Sequence, residues 1–295
     1  VLDFLIAAGV RVNGKDFYGL TALHHASVRG NLCCVKKLMD CKGIAIEATD
    51  KQQMTPLHIA AIYGHVDIAR SLIDSGANIP ALNARRNNHE TPVHLAARHG
   101  HLDIVQLLIR KGAKINTRDD NGSTPLILAA QYNQDAVVEF LITCGSKIEL
   151  YDVDKFTPLL IACNYGHTET IRRLLHHKAN ITAVDKNDRG TPVHLAARHG
   201  HLDIVQLLIR KGAKINTRDD NGSTPLILAA QYNQDAVVEF LITWKREIVH
   251  DDDENGNTAL HLAALSGRVQ CVRELVRLGA SIEARWVVGC GGIIW

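Results

Sequence analysis

Histidine is the side chain best supplied for chemistry in this sequence, with 16 copies in 295 residues. The densest run is His89-Glu90-Thr91-Pro92-Val93-His94, followed by His99 and His101. Two histidines one turn apart on a helix, with a glutamate beside the first, can hold zinc and activate a water. Here one residue too many separates the histidines, and Thr91-Pro92 opens a helix in the middle of the run. The triplet His94, His99 and His101 recurs as His194, His199 and His201. The seven cysteines include no C-x-x-C pair, and the adjacent Cys33 and Cys34 cannot both face one metal from a helix. They read as reduced thiols of a cytosolic protein. Asn121, Asn180 and Asn221 sit in N-x-S/T sequons, but no secretory signal is present, so they are expected to stay bare. The cluster Gly289–Gly292 opens no helix and makes no phosphate loop. With no serine elbow and no carboxylate pair in a shared pocket, the expectation is a non-enzymatic protein without metal or cofactor.

The elements that carry these side chains are repeated. Thr91–Thr143 recurs unchanged as Thr191–Thr243, and within it Thr91-Pro92 and Thr124-Pro125 stand 33 residues apart. Self-similarity at that period marks a repeat architecture. Eight helix starts follow, at Thr21, Thr55, Thr91, Thr124, Thr157, Thr191, Thr224 and Thr258. Thr supplies an N-cap oxygen, and Pro at the next position, as in Pro92 and Pro192, gives up an N–H that would have no partner. Five residues after each Thr stands Ala, then another small residue, which allows close approach of neighbouring helices. Nine residues after the Thr comes Gly or Asn (Gly30, Gly64, Gly100, Asn133, Gly166, Gly200, Asn233, Gly267), suited to the left-handed turn that ends a helix. A second helix follows with Leu at one fixed position, from Leu38 to Leu275, and an Asp/Asn/Gly turn then leads to the next Thr.

The pattern D-x-x-G-x-T-P-L-H-x-A-A-x-x-G-H…L-L-x-x-G-A resembles the ankyrin repeat over residues 16–285. The resemblance implies an all-α repeat solenoid of stacked helix-turn-helix units with β-hairpin tips. It also implies that the first-helix histidine, as in His94 and His194, hydrogen-bonds around the Thr and the neighbouring loop. Partner binding is implied on a concave face lined by first-helix ends and hairpin tips. The run CKGIAIEATDKQQMTPLHIAA (41–61) resembles, more narrowly, the ankyrin array of invertebrate TRPA-type cation channels, and 251–284 is similar to late repeats of such arrays. That second resemblance implies a cytoplasmic domain serving assembly, tethering or gating, with membrane helices outside this chain.

The expected units are 16–49, 50–82, 83–118, 119–151, 152–184, 185–218, 219–252 and 253–285. Residues 1–15 read as the second half of a partial repeat, so a fragment of something longer is expected at the amino end. The tail WVVGCGGIIW (286–295) has no period, and ten residues fall short of the about 20 needed to span a bilayer. It reads as an apolar segment docked on the last unit or as a stretch foreign to the coding frame. The net charge of +2 implies no nucleic-acid partner. In place of Cys144-Gly145, the second copy has Trp244-Lys245, so a less regular turn is expected there.

Two surface features are candidates for a protein partner. The residues just before the helix-ending Gly or Asn are Arg29, Tyr63, His99, Tyr132, Tyr165, His199, Tyr232 and Ser266, which puts four of six tyrosines in one register. Tyr joins apolar area to a hydroxyl and is a frequent interface anchor, although packing between units would also account for the pattern. The other candidate is the longest tip, with Arg85, Arg86, Asn87, Asn88 and His89, read as a contact point or a tolerated insertion. The duplication would show one surface segment twice, about 30 Å apart, which suits a dimeric or repetitive partner or records a copying event.

Overall fold

The computed structural model describes residues 11–76 and 88–283. Arg85, Arg86, the first ten residues and the tail 286–295 lie outside the described residues.

Helix starts follow from local chemistry. All eight threonines stand at N-caps with extended backbone, and Pro occupies the first turn in six. Helix stops are equally local. The eight Gly or Asn residues nine positions on all have positive φ, between +58° and +81°. An L side chain with a Cβ meets its own carbonyl there, so Gly and Asn are the tolerated types.

The chain divides into two compact units at the Val153–Asp154 junction. In the first, the described helices are α1 (Ala22–Val28), α2 (Leu32–Met39), α3 (Pro56–Tyr63), α4 (Val66–Asp74), α5 (Pro92–Arg98), α6 (Leu102–Arg110), α7 (Pro125–Gln131) and α8 (Asp135–Thr143). The second holds α9 (Pro158–Tyr165), α10 (Thr168–His176), α11 (Pro192–Arg198), α12 (Leu202–Arg210), α13 (Pro225–Gln231), α14 (Asp235–Trp244), α15 (Ala259–Leu265) and α16 (Val269–Arg277). Within each unit every first helix packs on the next first helix, and every second helix on the next second helix. This is an all-α repeat solenoid.

The core is built from the two small residues of the first helix and the Leu of the second. Ala60, Ala96, Ala129, Ala162, Ala196, Ala229 and Ala263 are wholly buried, and so are Leu72, Leu108, Leu141, Leu174, Leu208, Leu241 and Leu275. Each such Leu contributes about 1.5–3 kcal/mol by leaving water. Six of the first helices, α3, α5, α7, α9, α11 and α13, are buried almost all round, whereas Ala22 and His25 of α1 and Ala264 and Leu265 of α15 are exposed.

The β-hairpins expected at the tips are reduced to turns. Among the described residues the one β-type pairing is an isolated antiparallel bridge between Asp252 and Thr258. An aspartate nucleates most tips by accepting two backbone N–H bonds. Asp50 Oδ1 takes those of Gln52 and Met54 at 2.8 Å, and Asp219 Oδ1 those of Asn221 at 2.9 Å and Ser223 at 2.8 Å. Successive tips share one backbone bond, as from Asp120 N–H to Asn88 O (3.1 Å) and from Asp220 N–H to Asp188 O (2.7 Å). Where Lys245 replaces the helix-ending Gly, α14 runs on to Trp244 and a 3-10 turn, Arg246–His250, follows. The missing left-handed residue removes the ordinary exit.

Candidate interaction surface

The histidine at the third residue of a first helix is buried and committed to the backbone. His94 Nδ1 accepts the Thr91 N–H at 3.1 Å, and its Nε2–H donates to the carbonyls of Thr117 (3.1 Å) and Ser123 (3.1 Å) in the next tip. His194 repeats this with Thr191 (3.2 Å), Thr217 (3.0 Å) and Ser223 (3.1 Å). His24 reaches Met54 O at 3.0 Å. These contacts require the neutral ring with its proton on Nε2. Burial pushes His194 down to about 4 and lowers His24 as well. The ring therefore joins one repeat to the next.

A second joint lies at the start of six second helices. His65 Nε2–H donates to Val28 O (3.3 Å), His101 to Ile62 O (2.9 Å), and Gln134 Nε2–H to Arg98 O (3.3 Å). In the second unit His201 reaches Asn164 O (3.3 Å), Gln234 reaches Arg198 O (3.1 Å), and Arg268 reaches Gln231 O (3.2 Å). To arrive there the side chain passes over the helix-ending glycine of the preceding repeat. A Cβ on Gly64 would stand 2.8 Å from His101 Cε1, and one on Gly166 would stand 2.6 Å from His201 Cε1. These glycines thus serve twice, for the left-handed turn and for the close approach.

The residues just ahead of those glycines are the exposed ends of the first helices. Tyr63 is 54% exposed, Tyr132 47%, Tyr165 51% and Tyr232 47%. Arg29, His99 and His199 are exposed in the same register, while Ser266 is half-buried. Tyr63, Tyr165, His99 and His199 lean on a histidine of their own repeat, whereas Tyr132 and Tyr232 lie against an arginine of the preceding one. Tyr63 stacks on His65 at 6.2 Å, Tyr165 on His167 at 6.0 Å, and His99 and His199 on His101 and His201 at 6.1 Å. The guanidinium of Arg98 lies 5.6 Å from the Tyr132 ring, and that of Arg198 5.7 Å from Tyr232. Partial burial, with the neighbouring His and Arg charges, lowers the pKa of His99 and His199. The register therefore offers neutral imidazoles and propped phenol rings, groups that bury apolar area and still exchange hydrogen bonds.

Sequence reasoning missed the anchors of these arginines. Arg98 is ion-paired with Glu90, which is wholly buried, and Asn88 Nδ2 donates to the same carboxylate at 2.7 Å. Arg198, in an identical helix, is ion-paired instead with Asp188. The two copies differ in the turn that precedes them, so one arginine finds its acid at different places. At the tip, His89 pairs with Asp120, and Arg189 stands 3.7 Å from Asp220. The available signal was the pairing of a basic last residue on the first helix with an acid just ahead of its Thr.

His94, His99 and His101 do not converge on one point. The first is buried in its cap, the second is exposed, and the third reaches back to Ile62 O. Among the described residues no group of three His, Cys, Asp or Glu is placed to hold a metal ion. Nor is any described helix long and apolar enough to cross a membrane.

No curated protein matches the chain. The family described as ankyrin repeats (3 copies) matches residues 1–83, 80–152, 136–219 and 213–285, nearly the whole sequence. Together with the stacked helix pairs, this match means that the chain belongs to the ankyrin-repeat family.

Proposed function

We propose that the chain is a non-enzymatic scaffold that binds a protein partner on the first-helix ends and the tips. Ankyrin repeats are in general protein-interaction modules. The observation that carries the reading is the exposure of Tyr63, Tyr132, Tyr165 and Tyr232, about half free on helices otherwise nearly all buried. Arg29, His99 and His199 extend the same register, and His89 supplies a tip contact. The partner is a protein rather than a nucleic acid, the site of action is the cytoplasm, and no cofactor takes part. A binding assay with alanine at all four tyrosines tests this. Affinity for a partner captured by the intact chain should fall at least a hundredfold with helicity unchanged, given roughly 1 kcal/mol or more per anchor. Undiminished binding by that variant rejects the reading. The other reading, a cytoplasmic domain of a TRPA-type cation channel, draws on the runs 41–61 and 251–284 alone. A transcript read beyond both ends decides it by the presence or absence of apolar segments of about 20 residues.

A further inference from the structure

The buried cap histidines are divided unevenly between the two units. In the first, His24, His58 and His94 occupy consecutive helix pairs, with Ile127 in the fourth. The second has Leu160, His194, Ile227 and His261 there, of which His194 is wholly buried and His261 half-buried. Each buried ring uses Nδ1 as an acceptor, for the N–H groups of Thr21 (3.1 Å), Thr55 (3.1 Å), Thr91 (3.1 Å) and Thr191 (3.2 Å). A second proton on the ring goes to Nδ1 and sets donor against the threonine N–H, so protonation breaks that bond of the cap even where the threonine hydroxyl, 2.8–2.9 Å from Nδ1, takes the new proton.

We propose that the first unit is the acid-labile half of this chain, loosening through its three neighbouring histidine caps while the second unit stays folded. His24 has Asp50 in the next tip, opposed by Lys15 and His25. The helix carrying His58 has no charged residue, and the next tip places Glu90 in the register of Met54. His194 has Asp188, opposed by Arg198, and the Glu90–Arg98 pair with Asp119 takes the corresponding place beside His94. Burial lowers His24 and brings His194 to about 4, so each stabilises the fold above its ordinary 6.5 and loses that contribution as pH falls. Carboxyls raised by burial act in the opposite sense and favour the second unit, which holds Asp185, Asp219 and Asp251 against Asp119 in the first. Asp16 and Asp188, one in each unit, are lowered.

Hydrogen exchange of the full chain, read by peptide at pH 7.5 and 5.0 and referred to the intrinsic rate at each pH, tests this. A cap like that of His194 loses roughly 30-fold in its folding equilibrium over that interval. With three buried histidine caps against one, amides of α1–α6 should lose more protection than those of α11–α14. The variant His24→Leu/His58→Ile/His94→Ile carries the residue types of Leu160 and Ile127 and should remove the excess. Equal loss in both units, greater loss in the second, or an excess that survives in a folded triple variant overturns the proposal. If the variant does not fold, the comparison within the unaltered chain decides alone.

Discussion

Replacing Gly64 with alanine separates the two reasons for a glycine at the end of a first helix. Its φ is +76°, and a Cβ would meet the His101 ring at 2.8 Å. Gly267, at the end of the first helix α15, has φ +67° with nothing within 4 Å of its Cβ position. Alanine in the left-handed region costs about 1–2 kcal/mol, of which about 0.4–1 is recovered because the unfolded chain loses freedom. Gly267→Ala should therefore cost about 1 kcal/mol. Gly64→Ala carries the same strain and also displaces His101 from Ile62 O, a further loss of about 1 kcal/mol for the hydrogen bond. The expected cost is about 2 kcal/mol. In a His101→Ala background the collision is gone, and Gly64→Ala should fall back to about 1 kcal/mol, a coupling readable from a double-mutant cycle in denaturant. Equal costs for the two glycines, or no coupling to His101, would refute the idea that inter-repeat approach selects glycine here.

Three further outcomes follow from the same geometry. Glu90→Ala strands Arg98 at a half-buried site and should cost about 3 kcal/mol by chemical denaturation, whereas Asp120→Ala, whose carboxylate is half exposed, should cost under about 1 kcal/mol. For His194, whose pKa falls from 6.5 to about 4, stability is fully present above pH 6.5 and lost as pH falls to 4. His194→Ile should flatten that part of the stability profile by about 3 kcal/mol. Burial raises Cys163 beyond the usual thiol range and Cys271 to about 11, while Cys33 and Cys144 are exposed. Native labelling with a maleimide, read by mass spectrometry, should mark Cys33 and Cys144 and reach Cys163 and Cys271 only in denaturant.

The parts of the fold legible in the sequence are those whose causes are local. Thr21 through Thr258 cap helices within three residues of themselves, and Gly64 or Asn133 turns the chain by its own φ. Leu108 and its equivalents could be placed in the core because the period of the repeat fixes which face they occupy. What the sequence did not disclose were the contacts that the starts of second helices make back to the preceding repeat. His101, Gln134 and Arg268 look like unrelated polar residues until their shared target, a backbone carbonyl 36 to 39 residues earlier, is seen. The Arg98–Glu90 pair was hidden for a different reason, since Glu90 reads as the end of an entry loop and turns out to be buried. The tyrosine register was visible as a pattern, but its exposure was not, because a ring in that place could equally have been wedged between repeats.

The most direct test of the scaffold reading is site-specific photo-cross-linking of the full chain in cells. A photoreactive residue is placed at Tyr132 or Tyr232, and, for comparison, at the exposed Lys36 or Arg172 on second helices. If first-helix ends receive the partner, one discrete protein adduct forms from Tyr132 and Tyr232 and none from Lys36 or Arg172. Adducts of equal yield from all four positions, or from the second-helix positions alone, contradict the account.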